Sequence, residues 1–92
     1  MEEELKKELY EMQEKEWERE LKKLKTYRDP KLRSIIFHSL YTLARRDPNK
    51  LEYLRDLIDR DVYIRDYDRM MLLGIIEKTK RELAEKKLEY VI

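Results

Sequence analysis

Apolar side chains recur at helical spacing along most of the chain, whereas strand signals are weak. Over residues 2–27 nothing breaks a helix, and the apolar residues of this segment form two stripes rotated from one another. The first stripe is Leu5, Leu9 and Met12, and the second is Tyr10, Trp17, Leu21 and Leu24. Two stripes on one helix indicate contacts with two neighbours, a bend, or a first half that projects and pairs with another chain.

Two Asp-Pro pairs mark the starts of the next helices. Asp29-Pro30 and Asp47-Pro48 each place a good N-cap residue before a proline, which suits the first helical position because its missing N–H costs nothing there. They predict helices over about residues 30–46 and 48–59. The first of these carries its main apolar face on Leu32, Ile35, Ile36, Leu40 and Leu43. Phe37 and Tyr41 lie off that face and predict a second, smaller contact surface.

The last third of the chain allows two divisions. Asp61 is placed to cap a helix from about Val62, in which residues 70–76 are apolar nearly all round, as is typical of a central helix. Thr79 and Glu82 have the spacing of a capping box, which favours a break and helices over 62–78 and 79–91. The alternative is one unbroken helix from residue 62 onward.

These elements predict one all-α domain over residues 1–92. The expected architecture is a compact bundle of four to five antiparallel helices, with a short α-solenoid of helical hairpins as the alternative. The predicted helices cover about residues 2–27, 30–46, 48–59, 62–78 and 79–91.

Short internal matches indicate a repeat. Residues 28–33 match residues 60–65 at an offset of 32, and residues 50–54 match residues 87–91 at an offset of 37. Leu21 and Leu24 correspond to Leu54 and Leu57 at an offset of 33. Offsets that drift are expected when helices are kept and their connections vary in length.

Over roughly residues 20–92 this pattern resembles the HEAT-type helical repeat. The shared features are two leucines at the end of a helix, an acidic turn, a hydrophobe followed by Arg, and a later Leu-Gly. They fall on Leu54/Leu57, Asp59/Asp61, Ile64-Arg65 and Leu73-Gly74, and in the earlier copy on Leu21/Leu24, Asp29, Leu32-Arg33 and Leu43-Ala44. The chain departs from the family at Ile36 and Tyr67-Asp68, where small residues are usual. The resemblance implies stacked antiparallel helix pairs that bind protein, and it implies no catalysis.

The charge balance bears on the class of partner. Lys and Arg number 22 against 21 Asp and Glu, so the chain lacks the basic excess that phosphate neutralisation usually requires. Charged residues make up 47% of a chain with one Gly and no Cys, a composition typical of thermostable proteins or of engineered ones. The acidic start and the absence of an apolar run of about 20 residues argue against a secretory signal or a membrane span. If natural, the protein is expected to be soluble and cytoplasmic.

Residues able to carry chemistry are few. His38 is the only histidine, so a zinc site with two histidines is excluded, and no neighbouring carboxylate orients its ring. The densest acidic group lacks the glycine of a calcium loop and is interrupted by arginines, so helix capping and pairing with Arg55, Arg60, Arg65 and Arg69 are expected instead. That acidic group is Asp56, Asp59, Asp61, Asp66 and Asp68. The sequence therefore predicts no catalytic residue, no metal, no cofactor and no small-molecule substrate.

Aromatic side chains are the best candidates for binding, because they combine a large contact area with few rotatable bonds. The candidate partner-binding residues are Trp17, Phe37, Tyr41, Tyr53 and Tyr63. The competing interpretation is that the tyrosines cover the edge of the core with their hydroxyls in water.

The predicted function is a non-enzymatic helical module that packs against a protein partner or a second copy of itself. A designed helical bundle with no biological activity fits the same sequence. The alternative class is a small nucleic-acid-associated helical protein. It would need one basic face made by Lys22, Lys25, Arg28 and Arg33, or by Arg45 and Arg46.

Overall fold

A computed structural model of the chain describes residues 2–91, and the surroundings of side chains as far as residue 86. Four α-helices account for this range, and no strand occurs within it. They are α1 (Glu2–Thr26), α2 (Pro30–Ala44), α3 (Pro48–Arg60) and α4 (Asp66–Val91). The prediction of an all-α bundle is therefore confirmed, with four helices rather than five.

Both Asp-Pro pairs begin a helix as predicted. The Asp29 carboxylate accepts hydrogen bonds from the backbone N–H groups of Lys31 and Leu32, at 2.9 and 3.2 Å. Asp47 does the same two and three residues further on, at 3.0 and 3.3 Å. Pro30 and Pro48 occupy the first turn, where a helix has no use for their N–H. The helix that Asp29 begins ends at Ala44, two residues before the predicted end.

The predicted break at Thr79 is wrong, and α4 is continuous to Val91. The Thr79 hydroxyl donates to the carbonyl oxygen of Ile75, one turn earlier, at 2.9 Å. A threonine that bonds back to residue i−4 lies inside a helix and caps nothing. The spacing to Glu82 was therefore not evidence of a helix start.

The predicted start of the last helix at Val62 is also wrong. The Asp61 carboxylate accepts hydrogen bonds from the N–H groups of Tyr63 and Ile64, at 2.9 and 3.0 Å. This arrangement holds residues 62–65 in a non-helical turn, so α4 begins at Asp66. Asp61 does cap the local backbone as expected, but the element that it caps is a turn.

The helix at the centre is α2, which contacts each of the other three helices. The remaining close packing joins α3 to α4, and α1 reaches α3 through side chains such as Trp17 and Tyr53. The molecule is flat, with dimensions of 41 × 32 × 15 Å. The chain therefore forms two helical hairpins, α1/α2 and α3/α4, that lie side by side.

The central position of α2 changes which of its residues form the core. Phe37 is completely buried, although it was expected off the main face, while Leu32 and Ile35 are exposed. The apolar segment over residues 70–76 was expected to be central, but Met70 and Met71 are exposed because α4 lies at an edge. The buried apolar residues are Trp17, Ile36, Phe37, Leu40, Ala44, Leu51, Leu54, Ile58, Ile64, Leu72 and Ile76.

The first apolar stripe of α1 is left uncovered. Leu5, Leu9 and Met12 are all exposed, whereas Leu21 and Leu24 of the second stripe pack against the core. No helix in the described range is both long enough and apolar enough to cross a membrane.

Candidate functional site

The five aromatic candidates fall into different environments. Phe37 is 0% exposed and Trp17 is 7% exposed, so both belong to the core, and of the two only Trp17 reaches a surface, where it lines a groove. The burial of Phe37 corrects its selection as a direct partner-binding residue, because α2 buries a side chain that was expected off its main apolar face. Tyr41 is half-buried, and its hydroxyl is hydrogen-bonded to that of Thr79 at 2.6 Å. Tyr53 and Tyr63 remain accessible.

The two accessible tyrosines lie in different places. Tyr53 is on α3 beside Trp17, with 6.3 Å between their ring centroids and a tilted arrangement. Tyr63 is in the turn before α4, where the guanidinium carbons of Arg33 and Arg28 lie 5.0 and 5.6 Å from its ring centroid. The structure therefore brings together Trp17 and Tyr53 but not Tyr63.

A shallow groove of about 430 Å³ runs between α1 and α3. Lys50 lines this groove, and its ammonium group pairs with the carboxylate of Glu14 and lies 5.4 Å from the ring centroid of Trp17. The same ammonium group is 6.0 Å from the ring of Tyr10, which is an exposed residue. The lining residues are Glu14, Trp17, Glu18, Leu21, Asn49, Lys50 and Tyr53. We call this surface the α1–α3 groove.

The sequence contained a signal for this groove that the prediction did not use. Tyr10, Trp17 and Leu21 were recognised as one stripe, and that stripe faces α3. Lys50 and Glu14 were not selected, because nothing in the sequence shows which charged residues two packed helices bring together.

A second polar cluster, Arg33 and Asp61, joins the two hairpins. The Arg33 side chain is 7% exposed and that of Asp61 is 4% exposed. Nε of Arg33 donates to both carboxylate oxygens, at 3.0 Å to Oδ2 and 3.2 Å to Oδ1, and Nη2 also donates to Oδ2. Nη1 of Arg33 donates to the carbonyl oxygens of Leu24, at 2.7 Å, and Tyr27, near the end of α1. This one side chain therefore ties α1, α2 and the α3–α4 turn together.

The environment of Asp61 favours its ionised form. Burial alone would raise the pKa of this carboxyl group, because a low-dielectric environment disfavours charge. The hydrogen bonds from Arg33 and from the N–H groups of Tyr63 and Ile64, with the charge of Arg33, outweigh burial and leave the pKa below its ordinary value. With both oxygens of Asp61 occupied by these donors, the pair is suited to holding structure.

The remaining charged candidates do not converge. His38 is exposed, and Asp56 and Asp59 are exposed while Asp61 is buried. Two pairings predicted for the acidic group do form at the surface, Arg55 with Asp56 at 3.7 Å and Arg69 with Asp66 at 4.0 Å. Over the described residues, no three His, Asp or Glu side chains are grouped as they would be around a metal ion.

The structure does not place all four residues of the basic face predicted for nucleic acid at the surface. Arg33 is buried against Asp61 and cannot reach a phosphate, whereas Lys22, Lys25 and Arg28 are exposed. Arg45 and Arg46 line a different groove, together with Glu82 and Lys86.

No protein-family model matches the chain, and no curated protein or solved structure matches it. The functional inference therefore rests on the fold and on the geometry of its surfaces.

Proposed function

We propose that this chain is a non-enzymatic helical scaffold that binds a protein partner through the α1–α3 groove. The observation that carries the proposal is the exposure of two aromatic side chains, Tyr10 (62%) and Tyr53 (52%), beside a groove with Trp17 in its wall. Exposed aromatic residues around a partly apolar depression are what the energetic centres of protein interfaces require.

The groove also defines the chemistry of the partner. Trp17, Leu21 and the two tyrosines offer apolar contacts, while the Glu14–Lys50 pair offers one charge of each sign. A partner segment that inserts an apolar side chain next to Tyr53, flanked by one acidic and one basic residue, satisfies both features. Charges paired across the rim would fix the orientation of that segment more than they would raise its affinity.

Local similarity between the two hairpins supports a repeat-type scaffold. Asp29 and Asp61 have nearly the same backbone dihedral angles, φ/ψ of −63°/127° and −67°/127°. Each carboxylate accepts hydrogen bonds from the N–H groups two and three residues further on. Scaffolds that stack such hairpins present extended surfaces for protein binding.

The test is affinity enrichment with the wild-type chain, the Tyr53→Ala variant and a Tyr67→Ala control. Tyr67 is also exposed, at 72% against 52% for Tyr53, but it lies on α4 and does not line the groove. We expect a protein that is enriched by the wild type and by Tyr67→Ala and is lost with Tyr53→Ala. Truncation of Tyr53 should weaken the binding free energy of that protein by about 1–3 kcal/mol, as for an aromatic residue at the centre of an interface.

Trp17 gives an independent readout, because it is the only tryptophan and it lines the groove. A segment that fills the groove should shift the Trp17 fluorescence emission in a saturable titration. Partners that bind all three chains equally and leave this emission unchanged would contradict the proposed site. An absence of any specific partner is the result expected of a designed bundle without activity.

A further inference from the structure

We propose that copies of this chain associate head to tail, using an edge of α4 and an edge of α2 that reproduce the junction between the two hairpins. These surfaces are separate from the α1–α3 groove, so the inference does not depend on the proposed partner. The basis is an arginine, Arg69, and an aspartate, Asp29, that repeat part of the hydrogen bonding of Arg33 and Asp61 but lack the buried ion pair that joins those two residues.

The internal junction supplies the template. Arg33 uses Nη1 to bind carbonyl oxygens near the end of the preceding helix, and it uses Nε and Nη2 to bind Asp61 of the next hairpin. Next to this pair, Ile64 is 5% exposed, and about two turns beyond Arg33 on α2 the Tyr41 hydroxyl is hydrogen-bonded to Thr79 of α4.

Arg69 repeats the first half of this arrangement. Its Nη1 donates to the carbonyl oxygens of Ile58 and Asp59 at the end of α3, at 3.0 and 2.8 Å. Its Nε and Nη2 make no hydrogen bond within the described residues, and the nearest carboxylate oxygen to Nε is that of the exposed Asp66, at 4.0 Å. The sequence match pairs Arg33 with Arg65, but the geometry pairs it with Arg69, because the turn over residues 62–65 delays the start of α4 by four residues.

Asp29 repeats the other half. Its Oδ1 accepts the N–H groups of Lys31 and Leu32, as Oδ1 of Asp61 accepts those of Tyr63 and Ile64. In Asp61 the second oxygen, Oδ2, receives Nε and Nη2 of Arg33. In Asp29 the corresponding Oδ2 has no hydrogen-bond partner within the described residues. The N-cap of α2 thus presents a carboxylate oxygen, and the first turn of α4 presents the guanidinium nitrogens that fit it.

The apolar residues beside these two groups face away from the internal junction. At 100° per residue, Leu32 points about opposite to Tyr41 on α2, and Met70 points about opposite to Thr79 on α4. Leu32 is 45% exposed and Met70 is 73% exposed, although Ile64, which matches Leu32 in the sequence repeat, is buried in the core. We call Asp29, Leu32 and Ile35 the acceptor edge, and Arg69, Met70 and Leu73 the donor edge.

The two edges differ, so contact between them is heterologous and each copy can bind a further copy at its other end. The wild-type chain is therefore expected to form open chains of increasing mass. Mass should rise above the 11.6 kDa of one chain as concentration increases from about 10 μM to about 1 mM, measured by sedimentation equilibrium or light scattering.

Two single-edge variants make the test specific. Leu32→Lys blocks the acceptor edge, and Met70→Lys blocks the donor edge. Both residues are exposed, so the fold should be kept, and circular dichroism checks this. Each variant alone should stay monomeric, while an equimolar mixture should form a dimer, because each contributes one intact edge. Leu9→Lys is the control for association through the exposed stripe of α1 and should behave as the wild type.

Asp29→Asn tests the ion pair itself. Asparagine keeps the helix cap, so the fold is retained, but it removes the charge that Arg69 would bind. Association should weaken by at least about tenfold. A wild-type chain that is monomeric throughout the range would overturn the proposal. So would an association that Leu9→Lys abolishes, or one that the mixture of the two single-edge variants fails to restore.

Discussion

Replacing Asp61 by asparagine leaves the guanidinium group of Arg33 buried without a counter-charge. Both side chains are less than a tenth exposed, so solvent screens the pair very little. Removal of one partner from a buried, hydrogen-bonded ion pair typically costs 3–5 kcal/mol. The asparagine oxygen can still accept the N–H groups of Tyr63 and Ile64, so the turn over residues 62–65 keeps its hydrogen bonds. We therefore expect Asp61→Asn to lower the unfolding free energy by about 3 kcal/mol, at the lower end of this range.

The assay is urea unfolding at pH 7, followed by far-ultraviolet circular dichroism. The double-mutant cycle adds Arg33→Met, for which we also expect a loss of about 3 kcal/mol, and the double variant. The double variant buries no unpaired charge. Its loss of unfolding free energy should therefore be well below the sum of the losses in the two single variants, which corresponds to a coupling energy of about 2–3 kcal/mol. The matched control is Glu77→Gln, which removes an exposed pair with Arg55 of 2.9 Å and should cost less than about 1 kcal/mol.

Two results would refute this reasoning. A loss of less than about 1 kcal/mol for Asp61→Asn would show that Arg33 finds solvent or another acceptor. If the losses of the two single variants add up to that of the double variant within about 0.5 kcal/mol, Arg33 and Asp61 act independently.

Three further predictions concern the core, a helix interior and pH. Leu40→Ala, at a fully buried position, should lower the unfolding free energy by about 2–5 kcal/mol, whereas Leu9→Ala at an exposed one should change it by less than about 0.5 kcal/mol, both measured in urea. Gly74→Ala should raise the melting temperature and add about 0.5–1 kcal/mol to the unfolding free energy, because a Cβ at this position meets nothing within 4 Å beyond its chain neighbours and the nearby backbone of α4. The pKa of Asp61 is lower in the folded state than in the unfolded state. Its contribution to the unfolding free energy is therefore complete above about pH 4 and is lost as the pH falls through the pKa of the folded state. The unfolding free energy of the wild type should therefore fall more steeply below about pH 4 than that of Asp61→Asn, in urea titrations at successive pH values.

The helices were predictable where local chemistry alone decides the backbone. Asp29-Pro30 and Asp47-Pro48 begin helices in the sequence and in the structure, because capping depends on residues two or three apart. The predicted helix start at Thr79 was wrong because it also depended only on residues three apart. Its spacing to Glu82 is that of a cap, but the preceding residues already form a helix and nothing interrupts it.

Burial was harder to predict, because it depends on how many neighbours a helix has. The spacing of Leu32, Ile35 and Ile36 defines one apolar face, which would be the core face of a helix with a single neighbour. Since α2 contacts three helices, its buried surface includes Phe37 instead of Leu32 and Ile35. The spacing of residues within one helix contains no information about this number.

The candidate site was only partly predictable. Tyr53 was selected from its residue type and is accessible, but its neighbours Glu14 and Lys50 are 36 residues apart and meet only because α1 and α3 both pack on α2. Arg33 was assigned to a basic surface, and its partner Asp61 was assigned to a helix cap. The internal match of residues 28–33 to residues 60–65 was the available signal, because it aligns Asp61 with Asp29, which occupies the equivalent place in the other hairpin.

The sequential packing of the helices also shapes how the chain reaches its fold. α1 packs on α2, α2 on α3, and α3 on α4, so elements adjacent along the chain are adjacent in space. Such contacts close short loops at little entropic cost, and helical domains built from them fold in microseconds to milliseconds. Because α2 takes part in contacts toward both ends of the chain, a folding nucleus that contains it can grow in either direction. We therefore expect no fixed order of assembly, with either hairpin able to form first.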